Sequence, residues 1–346
     1  MPNKKKTKTI NNIDIILTWV DNHDVYWLNQ YNEHLKDADN KEISGRLRFE
    51  NLEALQYTFR GIDKFLPWIR KVHFVTADQL PSWLNQTHPK LNIVSHKQIF
   101  PHKKDLPTFN ACAIEMCFSN IPDLAEHFIY FNDDMFVLSP LKESRFFENG
   151  MPKDFLSLKI LNHDGIFSHI LHSDMQIINN ELTNKTQFVF NKILKIFNFK
   201  YGFFINFRNL LLAPQRAFSL FQVYHHPQPL LKSALIEVEN KHLKTVQKTR
   251  SSRFKSPTDI NQYVFRYINL LKGNFIPFYP RDTAYVCVKE VIDLEREINQ
   301  LKTKKNINFV CFNEHPDFNP NNYDVIKKLI SDYLDSILPN KSSYEK

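Results

Sequence analysis

Two adjacent carboxylates, Asp133 and Asp134, follow the apolar, aromatic-rich run Phe128-Ile129-Tyr130-Phe131-Asn132 and precede Met135-Phe136-Val137-Leu138. Neighbouring carboxylates repel unless a cation sits between them or one keeps its proton. A hard divalent ion meets that need through oxygen ligands and also holds phosphates. Taken alone, such a pair is more often a solvated turn at a strand end. Two further acids, Asp21 and Asp78, follow the strand-like runs Ile13 to Val20 and Val72 to Thr76. In a parallel sheet those ends share one edge, where ligands collect, so Asp21, Asp78, Asn132, Asp133 and Asp134 are expected to meet there on one metal and diphosphate site.

A diphosphate also needs positive charge, and a nucleotide base needs a flat surface. Arg46, Arg48 and Arg60 accompany the helix after the first strand, and Arg250 and Arg253 precede a later one. The planar, always-charged guanidinium suits phosphate. Trp19, beside the first strand's end, is a candidate surface for a base. His225 and His226 stand before Pro227 and Pro229, and two prolines so close exclude helix. An imidazole in that loop has the pKa range to deprotonate an acceptor hydroxyl near neutral pH. Neither G-x-G-x-x-G nor G-x-x-x-x-G-K occurs in a chain with only 6 Gly, so phosphate binding falls to metal, Arg and Lys. No H-E-x-x-H or multi-histidine zinc spacing is present.

The elements that must position these residues alternate in type. Strands are expected at Ile13 to Val20, Val72 to Thr76, Leu91 to Val94 and in the run before Asp133; helices at Asp24 to Lys36, Glu50 to Phe65 and Phe109 to Phe118. That alternation predicts an α/β fold with a mostly parallel sheet. Beyond Pro140 the pattern gives a strand at Phe155 to Ile160, a Phe-rich helical region from Gln187 to Leu220, then helices at Lys232 to Lys248 and Asp259 to Leu271. Strands at Thr283 to Val288 and Ile307 to Phe312 flank a charged helix, and a last helix runs from Tyr323 to Leu338.

The 346 residues suffice for one large domain or two ordinary ones. The net charge of +8 lies partly in Lys4, Lys5, Lys6 and Lys8, and favours anionic substrates or membrane surfaces. No nucleic-acid motif accompanies it, so nucleic acid is not an expected partner. Four cysteines without a C-x-x-C pair point to reduced, mostly buried thiols and a cytoplasmic protein. The best apolar run, Phe203 to Leu212, is short and carries Arg208, so no membrane-spanning segment is expected.

The ordered motifs resemble the Stealth family of sugar-phosphate transferases, which includes bacterial capsule-polymer phosphotransferases and the lysosomal-enzyme N-acetylglucosamine-1-phosphotransferase. The resemblance spans Ile13 to Glu345: first the run Ile13 to Asp21, then Arg48-Phe49, Leu55 to Arg60, Pro67 to Val72, Thr76 to Gln79, Leu106 to Asn110, Ala113 to Glu115 and Tyr130 to Asp134. A third region matches at His225, Pro227, Lys232, Arg253-Phe254 and Asp259, and a fourth at Cys311 to Asn313 and Leu338-Pro339 with Ser342 to Glu345.

The resemblance implies a Rossmann-like, glycosyltransferase-A-type core with a helical insertion and C-terminal part. It divides the chain into a basic tail (1–12) and one catalytic domain (13–345), with a nucleotide-binding half (13–140), a mostly helical insertion (141–222) and an acceptor or catalytic half (223–345). It implies transfer of a sugar 1-phosphate from a UDP-sugar to a saccharide or lipid-linked saccharide, with release of UMP. Asp133 and Asp134 would hold Mg2+ or Mn2+. His225, Asp134, Arg253 and Asp21 would be catalytic, and Trp19, Arg48, Arg60, Asp78, Asn110, Lys232 and Asn313 would bind substrate. Loose attachment at the inner face of the membrane, or to a capsule-assembly complex, would fit the basic tail. A metal-dependent glycosyltransferase releasing UDP and a non-catalytic saccharide-binding scaffold remain open to the residues alone.

Overall fold

The computed structural model describes residues 12–35, 54–162, 165–315 and 318–346. The basic tail up to residue 11, Arg46, Arg48 and the start of the helix expected from Glu50 lie outside the described residues.

Strand β1 (Ile13–Thr18) is buried along almost its whole length, as its apolar run requires. It leads through α1 (Val25–Leu35) and α2 (Leu55–Phe65) to β2 (Val72–Thr76) and β3 (Leu91–Ser95). Ser95 and Gln98 form a capping box on the short α3 (His96–Ile99). Helix α4 (Ala111–Glu115), capped by Asn110, precedes β4 (His127–Asn132). Strand β1 pairs in parallel with β4 on one side and β2 on the other, and β2 pairs in parallel with β3. The ends of β1, β2 and β4 therefore share one edge, as the alternating pattern predicts.

After the Asp133-Asp134 turn the chain enters β5 (Met135–Val137), followed by β6 (Phe147–Glu148), β7 (Met151–Asp154) and β8 (Leu158–Lys159). Helices α5 (Gly165–Glu181), α6 (Lys185–Asn191), α7 (Ile193–Ile196) and α8 (Phe203–Leu212) follow, and β9 (Leu220–Phe221) returns to pair with β8. The strand expected over Phe155 to Ile160 shrinks to β8. The 17-residue α5 was not anticipated, and the expected helical region gives way to β9 at Leu220.

Strand β10 (Gln228–Leu231) contains Pro229 and runs antiparallel to β4, giving the order β10-β4-β1-β2-β3. The histidine-proline loop is thus the lead-in to an edge strand, where the missing proline N–H does no harm. Helices α9 (Lys232–Lys241), α10 (Leu243–Ser251) and α11 (Tyr263–Lys272) pack beside it. Strand β11 (Ile276–Pro277) joins β7 and β6. The chain closes with β12 (Thr283–Val288), α12 (Val291–Thr303), β13 (Phe309–Glu314) and α13 (Tyr323–Asp335). Strand β13 pairs with β12 and, antiparallel, with β5. One apolar cluster draws on residues from Ile13 to Tyr344. The architecture is α/β with a mostly parallel central sheet, a helical insertion and a mixed C-terminal part.

Candidate active site

The Asp133-Asp134 turn is held from three sides. Thr58 of α2 donates from Oγ1 to the Asp133 carbonyl at 3.1 Å, and Phe312 of β13 donates its N–H to the Asp134 carbonyl at 3.2 Å. Below them Gly61 lets α2 approach β5 so closely that a Cβ there would lie 2.8 Å from the Val137 oxygen. The turn marks the point where the chain leaves one sheet for another, and β13 and the lead-in to β10 close on it from either side.

Three groups converge on a single oxygen, Asp134 Oδ2: His225 Nε2 at 3.2 Å, Asn313 Nδ2 at 3.2 Å and Cys311 Sγ at 3.1 Å. Cys311 and Asn313 are two apart on β13, so the pleat presents both on one face. Asn132 Nδ2 lies 3.5 Å from the same imidazole nitrogen, and the His225 ring meets Tyr285 edge to face at 5.9 Å. The other oxygen, Asp134 Oδ1, is buried and has no hydrogen-bond partner.

The electrostatics follow from that geometry. Burial works against the Asp134 charge, but the His225 imidazolium and the donated hydrogen bonds outweigh it and hold the carboxyl below its usual range. Burial likewise opposes a charged His225, yet the Asp134 carboxylate and its hydrogen bond prevail and raise the imidazole above its ordinary value. Asp133 has weaker support, from backbone N–H groups and from His225, and it does not prevail. Burial, and then the adjacent Asp134 charge, push its carboxyl up to about 7. Burial and the Asp134 charge also raise the Cys311 thiol, which keeps its proton and donates.

A metal finds a fitting place here. An unpartnered buried carboxylate oxygen beside a second carboxyl forced towards its neutral form is what a hard cation relieves. Asp134, His225 and Cys311 also bring an oxygen, a nitrogen and a sulfur within 4.8 Å of one another. His225 and Cys311 already donate to Asp134 Oδ2, however, so the free oxygen Oδ1 and Asp133 are the fitting ligands. Cys311 and Tyr285 were not singled out as site residues from the sequence, although the spacing of Cys311 to Asn313 on a strand was a usable signal.

Of the two histidines, only His225 faces the acids. His226 is buried, donates from Nδ1 to the Pro227 carbonyl at 2.8 Å, and burial pulls its pKa down to about 3.

The other expected residues divide. Trp19 and Asp21 do lie at the shared sheet edge. Trp19 stacks on Phe74 with centroids 5.6 Å apart. Asp21 is laced to the next loop by Gln79, which donates to its carbonyl and accepts from its N–H, both at 2.8 Å. Asp78, in left-handed backbone at φ 64°, reaches the same edge but pairs with Lys97 at 2.6 Å. The expected convergence of Asp21 and Asp78 with the Asp pair is therefore replaced by separate local partners.

Four further expectations require correction. Arg60 is committed to the C-terminal segment: both Glu345 oxygens accept from it, at 2.9 and 3.0 Å, and so does the Leu338 carbonyl at 3.1 Å. Arg253 donates to the carbonyls of Pro107, Lys104 and Leu106, which makes it a loop clasp. Asn110 is fully buried and joins that clasp through Asp259 Oδ2 at 2.8 Å. Lys232 donates its backbone N–H to the Glu126 carbonyl, where β4 begins. Seven residues of extended chain separate Glu126 from Asp133, about 20 Å at strand spacing, so Lys232 lies at the wrong edge of the sheet.

A partly buried acid-histidine pair, with one carboxylate oxygen buried and unpartnered, stands at the carboxyl edge of a mostly parallel α/β sheet, where such folds collect ligands. The sequence relatives identify the reaction class as phosphosugar transfer in polysaccharide synthesis. Conserved region 2 of Stealth proteins matches residues 48–154. Over 342 residues the chain is 33% identical to the capsular polysaccharide phosphotransferase WcwK of Streptococcus pneumoniae, covering 98% of this chain and 99% of that one. It is also 33% identical over 336 residues to the exopolysaccharide phosphotransferase cps2G of Lactiplantibacillus plantarum, with 96% of each covered. The receptor polysaccharide phosphotransferase WefC of Streptococcus gordonii is 31% identical over 351 residues, covering 97% of this chain and 99% of the relative. The chain belongs to the Stealth family and is a phosphotransferase. Among solved structures, mouse xyloside xylosyltransferase 1 aligns over 87% of this chain and 97% of its own at 9% identity and a TM-score of 0.36. Among the described residues no helix is long and apolar enough to cross a membrane.

Proposed function

We propose that the chain transfers a hexose or N-acetylhexosamine 1-phosphate from a UDP-sugar to a hydroxyl of a growing saccharide, free or lipid-linked, and releases UMP. The observation that carries the reading is the Asp134 carboxylate, which holds His225 through one oxygen and leaves the other buried and unpartnered. Asp133 and Asp134 would hold Mg2+ or Mn2+, and the ion when bound would neutralise the diphosphate.

The protein's own part is to position and to move one proton. In its neutral form, with the Nε2–H held on Asp134, His225 accepts the acceptor hydroxyl's proton at Nδ1, and that oxygen forms a bond to the β-phosphorus. The bond from the β-phosphorus to the bridging oxygen breaks, and UMP leaves with the electron pair. Asn313 and Cys311 fix the Asp134 carboxylate and thereby the imidazole that it holds. Trp19 and Asp21 stand where the nucleotide would lie, at the edge reached by the 13–140 half. The 223–345 part supplies His225 and Asn313.

The test is the nucleotide product. With UDP-sugar, oligosaccharide primer and Mg2+ or Mn2+, chromatography should show UMP accumulating, and a chelator should stop it. UDP as the product, or no consumption of any UDP-sugar, would overturn the assignment.

A further inference from the structure

Helix α8 is turned inside out. Its polar residues face inward: Asn209 is fully buried, accepting from Leu158 N–H at 2.7 Å and donating to the Leu156 and Ile196 carbonyls. Asn206 donates to the carbonyls of Asn198 and Gly202, and Arg208 reaches Ser157 Oγ at 2.6 Å. Most of its apolar residues face out, Ile205 being the buried exception. Phe203 and Phe204 are 76% and 85% exposed, and Phe207, Leu210 and Leu211 are each at least half exposed. Beside them Phe190, Leu194 and Phe199 protrude from the preceding turns. Aromatic and aliphatic side chains at these positions cost solubility and contribute nothing to the core, so the patch is built to be covered.

Charge decides what covers it. Residues 182–236 contain no Asp or Glu and seven Lys or Arg, of which Lys200 and Arg216 are exposed. A second copy docked about a two-fold axis would set this basic region against itself. A lipid surface with anionic headgroups accepts both the bulky apolar side chains and the positive charge.

We propose that the outward face of α8, with the α6 and α7 turns, docks the protein on an anionic membrane surface. The patch is tied to the active site from behind. Tyr201 and Ile205 pack in a cluster with Phe155, and Tyr224, the residue before His225, packs on the same cluster. A protein seated on lipid by this face would hold its active-site loop within one packing layer of the interface, suited to an acceptor carried on lipid. The proposal concerns location and leaves the chemistry of the proposed reaction untouched.

Co-sedimentation of the full chain with vesicles of equimolar phosphatidylglycerol and phosphatidylcholine tests it, with phosphatidylcholine alone as control. The native chain should bind the anionic vesicles, and binding should weaken with salt. The triple variant Phe204→Ser, Phe207→Ser, Leu211→Ser should bind on the order of tenfold more weakly or less, with unchanged melting and unchanged UMP release on a water-soluble primer. Should that variant fold poorly, Lys200→Glu with Arg216→Glu should remove the preference for anionic vesicles. Full vesicle binding by either variant would overturn the proposal. So would absence of binding by the native chain, or a self-association in sedimentation velocity that the triple substitution abolishes.

Discussion

Asp14 and Asp134 occupy opposite edges of one sheet, and their surroundings treat a carboxylate in opposite ways. Asp14, near the start of β1, is fully buried and has both oxygens engaged. Arg70 donates to Oδ1 at 2.8 Å and to Oδ2 at 2.6 Å, and His73 and the Ala125 N–H also donate to Oδ2. Asp134, beyond the end of β4, has three donors crowded on one oxygen and none on the other. The first arrangement gives each oxygen a donor and belongs to the fold. The second leaves one oxygen without a donor beside a neighbour that burial pushes towards neutrality, an environment that the proposed cation would relieve. Within one sheet, therefore, completeness of hydrogen bonding separates the structural Asp14 from Asp134, the acid proposed to act.

That contrast is open to attack. The largest effect is expected at Asp134→Asn: turnover should fall on the order of 10^3-fold or more, with only a modest loss of melting temperature, since the charge that His225, Asn313 and Cys311 stabilise is replaced by an amide oxygen that can still accept from them. A clear loss of stability with activity retained would invert the comparison. Asp14→Ala should do the reverse, costing about 3–5 kcal/mol in chemical denaturation by stranding Arg70 and His73, with UMP release per folded molecule unchanged.

His225→Ala should lower kcat by about 10^2-fold or more with little change in melting, whereas His226→Ala, at a buried and neutral histidine, should act on stability. At the joint behind the turn, Gly61→Ala should cost about 1–3 kcal/mol, since its Cβ would press on the Val137 carbonyl. The smallest effect is the pH dependence. Burial holds His226 down at about 3 and His96 at about 4. The unfolded chain then binds more protons than the folded one below the ordinary histidine pKa, so stability should start to fall as pH drops through about 6.5. Asp14, whose pKa is depressed, contributes stability above the ordinary carboxylate range that is lost as pH falls through its folded value. Scanning denaturation midpoints against pH for the native chain and Asp14→Asn separates the two windows.

Much of the site was legible because it is local in the chain. The Asp pair after an apolar run, and a histidine stiffened by prolines, are short-range signals with a direct chemical meaning. Asn313 entered through resemblance, and the structure brings it to Asp134. Arg60, Arg253, Asn110 and Lys232 read equally well as ligands, since a guanidinium, amide or ammonium looks the same in sequence whether its partner is a phosphate or a carbonyl. Only packing reveals that Arg253 clasps the Lys104 to Pro107 loop and that Arg60 anchors the C-terminal segment. Pro229 excluded helix correctly but hid an edge strand, because edge strands tolerate the missing N–H that interior strands do not.

Sequence by itself determined the alternation of buried strands and helices, the chemistry available to the Asp-Asp turn and the stiff histidine loop, because these depend on neighbours a few residues away. Tertiary structure alone decided which oxygen of Asp134 remains free, which of two adjacent histidines meets it, and that α8 turns its phenylalanines outward. Each of those outcomes depends on groups 50 to 180 positions distant, such as Asn209 with Leu158 or Asp134 with Asn313. Their approach is set by how sheets and helices pack, and no short-range pattern encodes it.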